Sequence, residues 1–372
     1  SSDLTLLYLY MIRIDEIYDN IFSPIILSTP MQTMHYFDPF GRTDISALRA
    51  KPLISNRNMS FLFWDQEPFY PDIHTETINF FHQEFIHTIR PKKWREYEGQ
   101  LTTTRTSNAR FVTSEKNSKH VNEMCEQYGY KTSYYFFHGW AALDWFRGYN
   151  RAHLIPDYKD RSITNTFTCP NRVVSGNRSH RVNLLKEIVN SDIVKGNNIS
   201  FPSKCPYNDT LITIENIELP LVFNNETAGK IPNESFKISF WDTVKNSLVF
   251  VVTETLYEQE KLHLTEKIFK PIVMQMPFLL VAPKHSLEYL RSYGFKTFGG
   301  FWSEDYDHQD NDTRIKSVAT ILKELDNMTI KEKQQLQKHL TPIVKHNFDW
   351  FYSNKFEELL WSELNNMVTQ WD

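Results

Sequence analysis

The best-defined candidate site joins one carboxylate to a short acidic and basic segment. Glu254 ends an apolar run, and Thr265, Glu266, Lys267 and Lys270 follow within sixteen residues. Thr265 is of a type that caps helices, so Glu266 and Lys267 fall in the first turn of a predicted helix. There Glu266 can accept hydrogen bonds from ribose hydroxyls, while Lys267 or Lys270 meets a diphosphate. The alternative is an acidic first turn that only suits the helix dipole.

A second group of cations follows another strand-like run. Arg172, Arg178 and Arg181 lie in or just after the polar connection behind Cys169, and Ser179 can cap the helix that starts there. An arginine guanidinium pairs with phosphate through two parallel hydrogen bonds, so these residues are candidate diphosphate ligands. The alternative is a solvated, charged turn.

Two carboxylates follow the strand-like run that ends at Trp64. Asp65 and Glu67 stand in the segment Trp64-Asp65-Gln66-Glu67-Pro68. Open α/β sheets keep their sites at the carboxyl ends of strands, so either residue is a candidate general base. The alternative is a loop carboxylate that caps the predicted helix Ile73–Ile89.

The segment Phe136-Phe137-His138-Gly139-Trp140 places aromatic rings beside a histidine. Aromatic rings beside polar groups suit stacking against sugars, so His138 and Trp140, together with Trp64, are candidates for binding an acceptor. The alternative for His138 is a packed histidine that satisfies a backbone group.

The arrangement of carboxylates, histidines and cysteines does not favour metal catalysis. Asp305-Tyr306-Asp307 has the spacing of a metal-binding pair, but it comes after the candidate nucleotide helix and is better explained as a loop that caps Asp312–Leu325 or touches the ligand. The histidines form no H-E-x-x-H motif. Three widely spaced cysteines exclude a C-x-x-C zinc site and favour a reducing compartment.

The composition removes several enzyme classes. Only 11 of 372 residues are glycine, and no glycine-rich phosphate loop or G-x-S-x-G motif is present. The net charge of −4 argues against nonspecific nucleic-acid binding, although the segment Arg90–Lys119 is locally basic. The apolar start, Leu4–Ile14, is too short to span a membrane and is predicted to be a buried strand.

Strand-like runs alternate with helical patterns along the chain, which predicts parallel sheets. The predicted strands are Leu4–Ile14, Met59–Trp64, Arg110–Thr113, Thr132–Phe137, Asn165–Cys169, Leu219–Phe223, Ser247–Thr253 and Phe278–Ala282. The predicted helices are Ile73–Ile89, Glu115–Tyr128, Ser179–Val194, Thr265–Met276, Lys284–Ser292, Asp312–Leu325, Lys331–Phe348 and Asn354–Trp371.

Two such series predict two domains, separated by the polar segment Asn150–Asn165. We predict an acceptor-binding α/β domain over 1–155 and a donor-binding α/β domain over 156–350. A C-terminal helix over 351–372 can pack back against the first domain.

Leu264–Pro271, followed by Gln275-Met276-Pro277-Phe278, is similar to the nucleotide-sugar-binding helix of GT-B glycosyltransferases. It looks most like fucosyltransferases and related phage and bacterial enzymes, in which an S/T-E-K run opens that helix. Ser286–Phe298 and Glu304–Asp307 extend the likeness, which covers roughly residues 247–325.

The resemblance implies a ribose-binding role for Glu266, and it makes Lys267 the nearest match to a phosphate-binding cation. Related enzymes also use basic residues after the first strand of the donor domain, where Arg172 stands. The W-D-Q-E-P segment looks like the acidic segment that carries the base in fucosyltransferases, which implies that role for Glu67 or Asp65. The implied fold consists of two Rossmann-like domains facing across a cleft.

We therefore predict a metal-independent glycosyltransferase that moves a sugar from a nucleoside-diphosphate sugar to an acceptor hydroxyl. The nucleotide sugar is a substrate, and no cofactor is expected. The acceptor is a hydroxymethylated base in viral DNA or a glycan, and the enzyme is a monomer or weak dimer of the cytoplasm (of the host, if the source is a phage or another virus). The alternative is a non-catalytic carbohydrate- or nucleic-acid-binding protein on a decayed transferase fold.

Overall fold

The chain divides into two compact units in a computed structural model. One unit comprises Ser1–Asp144 with Leu360–Asp372, and the other comprises Trp145–Leu359. The structure describes residues 17, 22, 32–36, 59–65, 68–69, 109–144, 146, 161–206, 209–222 and 244–371. The domain boundaries predicted from the sequence stay predictions, since residues 151–160 lie outside this description.

The first unit contains a four-stranded parallel sheet with the strand order β1-β2-β3-β4. The strands are β1 (Gln32–Tyr36), β2 (Met59–Trp64), β3 (Ala109–Thr113) and β4 (Lys131–Tyr134). In the register, Trp64 lies beside Thr113, which lies beside Tyr134. The carboxyl ends of β2, β3 and β4 therefore meet at one edge of the sheet.

Two short helices of the first unit follow β3 and β4. Helix α1 (Lys119–Tyr128) begins where Ser118 accepts a hydrogen bond from Val121 N, and it ends at Gly129, whose φ of 69° suits glycine. Helix α2 (Phe137–Ala142) follows β4 closely, and all six of its residues are buried.

The second unit contains another four-stranded parallel sheet, with the order β6-β5-β7-β8. Its strands are β5 (Asn165–Pro170), β6 (Asn198–Ser200), β7 (Ser247–Thr253) and β8 (Phe278–Val281). Every residue of β7 and β8 is buried, as expected for near-continuous apolar runs in a parallel sheet covered on both faces.

Helices alternate with these strands and then follow one another to the end of the chain. They are α3 (Ser179–Asn190), α4 (Glu266–Val273), α5 (Ser286–Ser292), α6 (Asn311–Asp326), α7 (Ile330–Phe351) and α8 (Asn354–Val368). Helix α7 opens with a reciprocal capping box between Thr329 and Glu332. Among the described residues, every helix is too short or too polar to span a lipid bilayer.

The α/β class with parallel sheets is confirmed, but one predicted strand ends too late and another is not a strand in its described residues. The strand predicted over Thr132–Phe137 ends at Tyr134, because Phe137 starts α2. In the run predicted as Leu219–Phe223, Leu221 makes only an isolated bridge to Phe201.

Two further predicted elements, Leu4–Ile14 and Ile73–Ile89, lie outside the described residues. Strands β1 and β6 were missed. The three-residue β6 is too short to show a hydrophobic period, so nothing in the sequence marks it as a strand.

Candidate functional site

The carboxyl ends of the second sheet are tied together by the residues that follow each strand. Asn171, just after β5, donates its backbone N–H to Ser200 O at 2.8 Å, and its Oδ1 accepts from Thr253 Oγ1 at 2.6 Å. Glu254, just after β7, donates its backbone N–H to Val281 O at 2.9 Å. The connections that carry the predicted site residues therefore start from one hydrogen-bonded edge, where open α/β sheets bind ligands.

The buried carboxylate of Glu254 holds the start of α4. Its Oε1 accepts from Thr265 N at 3.1 Å, and its Oε2 accepts from Thr265 Oγ1 at 2.6 Å. Burial raises the pKa of Glu254 above its ordinary value, while Lys267 and the hydrogen bonds from Thr265 act in the opposite direction. Thr265 is the N-cap, as predicted, and accepts from Lys267 N at 3.4 Å.

Helix α4 presents Glu266 and Lys267 in its first turn. Glu266 is 8% exposed, and its Oε1 lies 3.0 Å from Lys267 Nζ. Lys267 Nζ also donates to Thr265 Oγ1 at 3.1 Å. Lys270 stands four residues beyond Glu266, in the last turn, on the same side of the helix. A carboxylate and an ammonium group thus lie side by side at a helix N-terminus.

Arg181 points into the protein and braces the loops around the sheet edge. Its guanidinium donates to Val173 O at 2.7 Å, to Thr253 O at 2.9 Å and to Glu254 O at 3.0 Å. Burial, reinforced by the charge of Arg178, lowers the pKa of Arg181 to about 10. Because its hydrogen bonds go to main-chain carbonyls, Arg181 holds the strand ends in place in this structure.

His180 stands beside Arg181 and is also buried. Its Nε2 lies 3.1 Å from Glu254 O, so that nitrogen carries the proton. Its ring stacks on Tyr257 with centroids 4.9 Å apart, and the guanidinium carbon of Arg314 lies 4.1 Å from the centroid of Tyr257. Burial first, and then Arg181, hold the pKa of His180 well below its ordinary value.

Arg172 and Arg178 are half-buried in the loop between β5 and α3. The buried Nε of Arg172 makes no hydrogen bond to any described residue. Arg178 is the N-cap of α3 but makes no side-chain capping bond, and Ser179, predicted as the cap, is the first residue of the helix. In contrast to Arg181, the side chains of Arg172 and Arg178 make no hydrogen bond to the described residues.

In the first unit, Asp65 is a buried carboxylate at the carboxyl end of β2. Its Oδ2 accepts a short hydrogen bond from the hydroxyl of Tyr135, which follows β4, and its backbone carbonyl accepts from Ser114 Oγ at 2.7 Å. Asp65 is 0% exposed. Glu67, the other candidate base, lies outside the described residues.

The three aromatic candidates for acceptor binding are all buried. Trp64 packs edge-on against Phe69 and stacks on Phe111, with centroids 5.4 and 6.1 Å away. Trp140 packs edge-on against Trp361 at 4.8 Å. His138 is 5% exposed on α2, so it does not close a strand as predicted.

The Asp305–Asp307 segment caps α5, and not the helix over Asp312–Leu325 as predicted. Asp307 is 3% exposed, and its carboxylate accepts from Leu287 N and Glu288 N at the start of α5. Asp310, further along, accepts from Thr313 N at 3.0 Å and is the N-cap of α6. Among the described residues, no group of three or more His, Cys, Asp and Glu side chains is arranged to hold a metal ion.

No protein-family model, curated protein or solved structure matches this chain.

Glu115 and Tyr135 were not among the candidate site residues predicted from the sequence. Both follow strands of the first sheet at the edge where Asp65 lies. The buried Glu115 carboxylate accepts from Phe69 N and from Ser118 Oγ, each at 2.6 Å. Glu115 lies two residues after the end of β3, close behind a predicted strand as Asp65 is, and this position could have identified it.

Proposed function

We propose that the chain is a metal-independent glycosyltransferase of the GT-B class, which transfers a sugar from a nucleoside-diphosphate sugar to an acceptor hydroxyl. The observation that supports it best is the pairing of Glu266 with Lys267 at the N-terminus of α4, beside the carboxyl end of a parallel sheet. A carboxylate there can accept from both ribose hydroxyls, and a neighbouring cation can meet phosphate.

In this proposal the second unit binds the donor. Glu266 accepts hydrogen bonds from the ribose, and Lys267 leaves its ion pair with Glu266 to meet the diphosphate. Arg172 and Arg178 supply further positive charge from the loop after β5, and Lys270 adds charge on α4. These cations and the helix dipole stabilise the leaving diphosphate as negative charge develops on it.

Glu254, Thr265 and Arg181 are positioning residues in the same proposal. Glu254 and Thr265 set the start of α4 and thereby the direction of Glu266. Arg181 holds the carbonyls of Thr253 and Glu254 in place. Their preorganisation means that the donor does not have to order this loop when it binds.

The first unit supplies the base and binds the acceptor in this proposal. A general base must reach the proton that it removes, and Asp65 is fully buried against Tyr135. This burial favours Glu67 as the base. Asp65 instead holds the end of β2 in place through its hydrogen bonds with Tyr135 and Ser114. The acceptor is a hydroxymethylated DNA base or a glycan.

The decisive experiment is a thermal-shift screen with UDP-, GDP-, ADP- and CDP-sugars, because a ligand that binds only the native state raises its stability. One nucleotide series is expected to raise the melting temperature. The full chain is then incubated with that donor and with hydroxymethylated DNA or glycan acceptors, and the products are identified by mass spectrometry. Absence of a shift with every donor favours a non-catalytic binding protein.

Two variants separate binding from transfer. Glu266→Ala is expected to lose at least about tenfold in donor affinity, equal to about 1.4 kcal/mol. Glu258→Ala, at an exposed position before α4, is the matched control and keeps the affinity. Glu67→Gln is expected to bind donor normally and to lose transfer; unchanged turnover removes Glu67 from the base role.

A further inference from the structure

Two histidines from separate segments face each other at the surface of the second unit. His285 precedes α5, and His308 ends the short 3₁₀ turn Asp305–His308. Their Nδ1 atoms are 3.1 Å apart, and their ring centroids are 4.8 Å apart. Both residues are exposed, so an ion from solvent can reach them.

The backbone holds the two histidines together independently of their rings. His285 N donates to Asp307 O at 2.9 Å, and the Asp307 carboxylate accepts from Leu287 N and Glu288 N. His285 itself has a φ of 65°, in the left-handed region that few side chains adopt. The pair is therefore preorganised, and a ligand that bridges the rings pays little to order them.

The distance between the two nitrogens suits one metal ion. Zinc binds imidazole nitrogen at about 2.0–2.1 Å. Two nitrogens at that distance from one ion, and 3.1 Å from each other, subtend an angle of about 98° at the ion, between the square-planar and tetrahedral values. In addition, Glu288 Oε2 lies 3.4 Å from His285 Nδ1 and provides negative charge beside the pair.

We propose that His285 and His308 chelate a divalent transition metal, with Zn²⁺ and Ni²⁺ as suitable ions, through their Nδ1 atoms. Both nitrogens must be unprotonated to bind the ion. In the neutral pair one Nδ1 carries a hydrogen, which moves to Nε2 of the same ring by a change of tautomer, with no net release of a proton. Water fills the remaining coordination positions.

This two-ligand site differs from a closed structural zinc site, which has four protein ligands. The proposed sugar transfer does not require it, since that reaction uses no metal. Bound metal joins the segment before α5 to the 3₁₀ turn that precedes α6. Since the ion binds the native arrangement, it is expected to stabilise the second unit by mass action.

The test is titration calorimetry of the full chain with ZnCl₂ and with NiCl₂, comparing wild type with His285→Asn, His308→Ala and the double variant. Asparagine is chosen at position 285 because it tolerates the left-handed backbone. His339→Ala, which removes an exposed histidine from α7, is the matched control. Circular dichroism checks that each variant is folded before titration.

Each single substitution is expected to lower the affinity of one metal site about tenfold or more. Loss of a group that only supports a metal-bound histidine already lowers metal affinity about 10- to 100-fold. The double variant is expected to bind little more weakly than either single one, because both ligands belong to one site. His339→Ala is expected to keep the wild-type affinity. Absence of metal binding in wild type, or wild-type metal affinity in the folded His285→Asn or His308→Ala variant, overturns the proposal.

Discussion

The buried carboxylate of Glu254 links the chemistry of single residues to the geometry of the candidate site. Both of its oxygens accept hydrogen bonds from Thr265, and its main-chain carbonyl accepts from Arg181. A buried polar group that loses its partners costs about 1–3 kcal/mol. Glu254 and Arg181 therefore stabilise this loop only as long as their partners stay in place.

Glu254→Gln is expected to change the pH dependence of stability. Burial raises the pKa of Glu254 above its ordinary value of 4.5, so the folded state holds this proton to higher pH than the unfolded state. The unfolding free energy therefore falls as pH rises through the window above 4.5, by about 1.4 kcal/mol for each pKa unit of difference. In Glu254→Gln this decline is expected to disappear. Urea unfolding at a series of pH values measures the difference.

The control for that experiment is Glu332→Gln, at an exposed capping box. The hydrogen bonds from Thr329 hold the pKa of Glu332 below its ordinary value. Its contribution to the unfolding free energy is therefore present above pH 4.5 and is lost as pH falls below that value. Glu332→Gln should therefore leave the decline of the unfolding free energy above pH 4.5 unchanged. An identical decline in wild type and Glu254→Gln contradicts the role of Glu254.

The cysteines are expected to be chemically inert in the native protein. Cys125, Cys169 and Cys205 are free and buried. Burial raises the pKa of Cys125 and of Cys169 to about 12 each, against hydrogen bonding by Asn171 and the charge of Arg181 at Cys169. At pH 8 their thiolate fractions are then about a thousandfold below that of free cysteine.

Ellman's reagent tests this expectation. The native chain should react slowly, and the chain in guanidinium chloride should release three equivalents at once. A cysteine that reacts in the native chain as fast as a free thiol rules out the burial described for it.

At the scale of elements, the residues just after α5 pack so closely against helix α7 that position 294 leaves no room for a side chain. Gly294 has a φ of 86°, and a Cβ built there comes within 2.4 Å of Trp350 Cζ2. Trp350 Nε1 donates to Tyr293 O at 2.7 Å, and His346 Nε2 lies 3.0 Å from Gly294 O. Glycine is required here by backbone conformation and by space.

Gly294→Ala is expected to lower the unfolding free energy by about 2–5 kcal/mol, combining left-handed backbone strain with overpacking. Gly196→Ala is the matched control, since Gly196 has a φ of 85° and a Cβ placed there would meet no atom within 4 Å. Gly196→Ala should lower the unfolding free energy only by the backbone strain, about 1–2 kcal/mol. Denaturant unfolding measures both, and equal losses contradict the steric part of the explanation.

At the scale of the whole molecule, the end of the chain completes the core of the first unit. Trp371 packs against Phe61 and Phe22, with centroids 4.8 and 5.6 Å away, and donates from Nε1 to Ser133 Oγ at 3.1 Å. Arg110 of β3 donates to Gln370 O at 3.0 Å. Residues far apart in sequence thus form one core.

Trp371→Ala is expected to destabilise the first unit by about 3–5 kcal/mol, as for other large-to-small changes in a core. Trp371→Phe keeps the ring contacts and loses the hydrogen bond to Ser133, at a cost of about 0.5–1.5 kcal/mol. Hydrogen exchange followed by mass spectrometry should show faster exchange in β2 and β3. Unchanged exchange there in Trp371→Ala shows that the C-terminal segment is not part of this core.

Local sequence patterns predicted much of the fold. The bounds of β2 and β7 were predicted to the residue, and those of β5 and β8 to within one residue, because apolar, β-branched runs bounded by polar residues are typical of buried strands. Thr265 was identified as a cap from its residue type alone. The order of strands in each sheet was not predicted, since it depends on contacts between distant segments.

The sequence by itself determined which residues fall at the ends of strands and starts of helices, because those positions depend on neighbours within one turn or one strand. It therefore placed Glu254, Glu266 and Arg181 near one edge of a sheet. Only the tertiary structure decided where their side chains point. Arg181 turns inward because carbonyls of β7 and its own loop accept its hydrogen bonds, and His285 meets His308 because Asp307 ties their segments together. Such choices follow from burial and long-range hydrogen bonding, which no local pattern encodes.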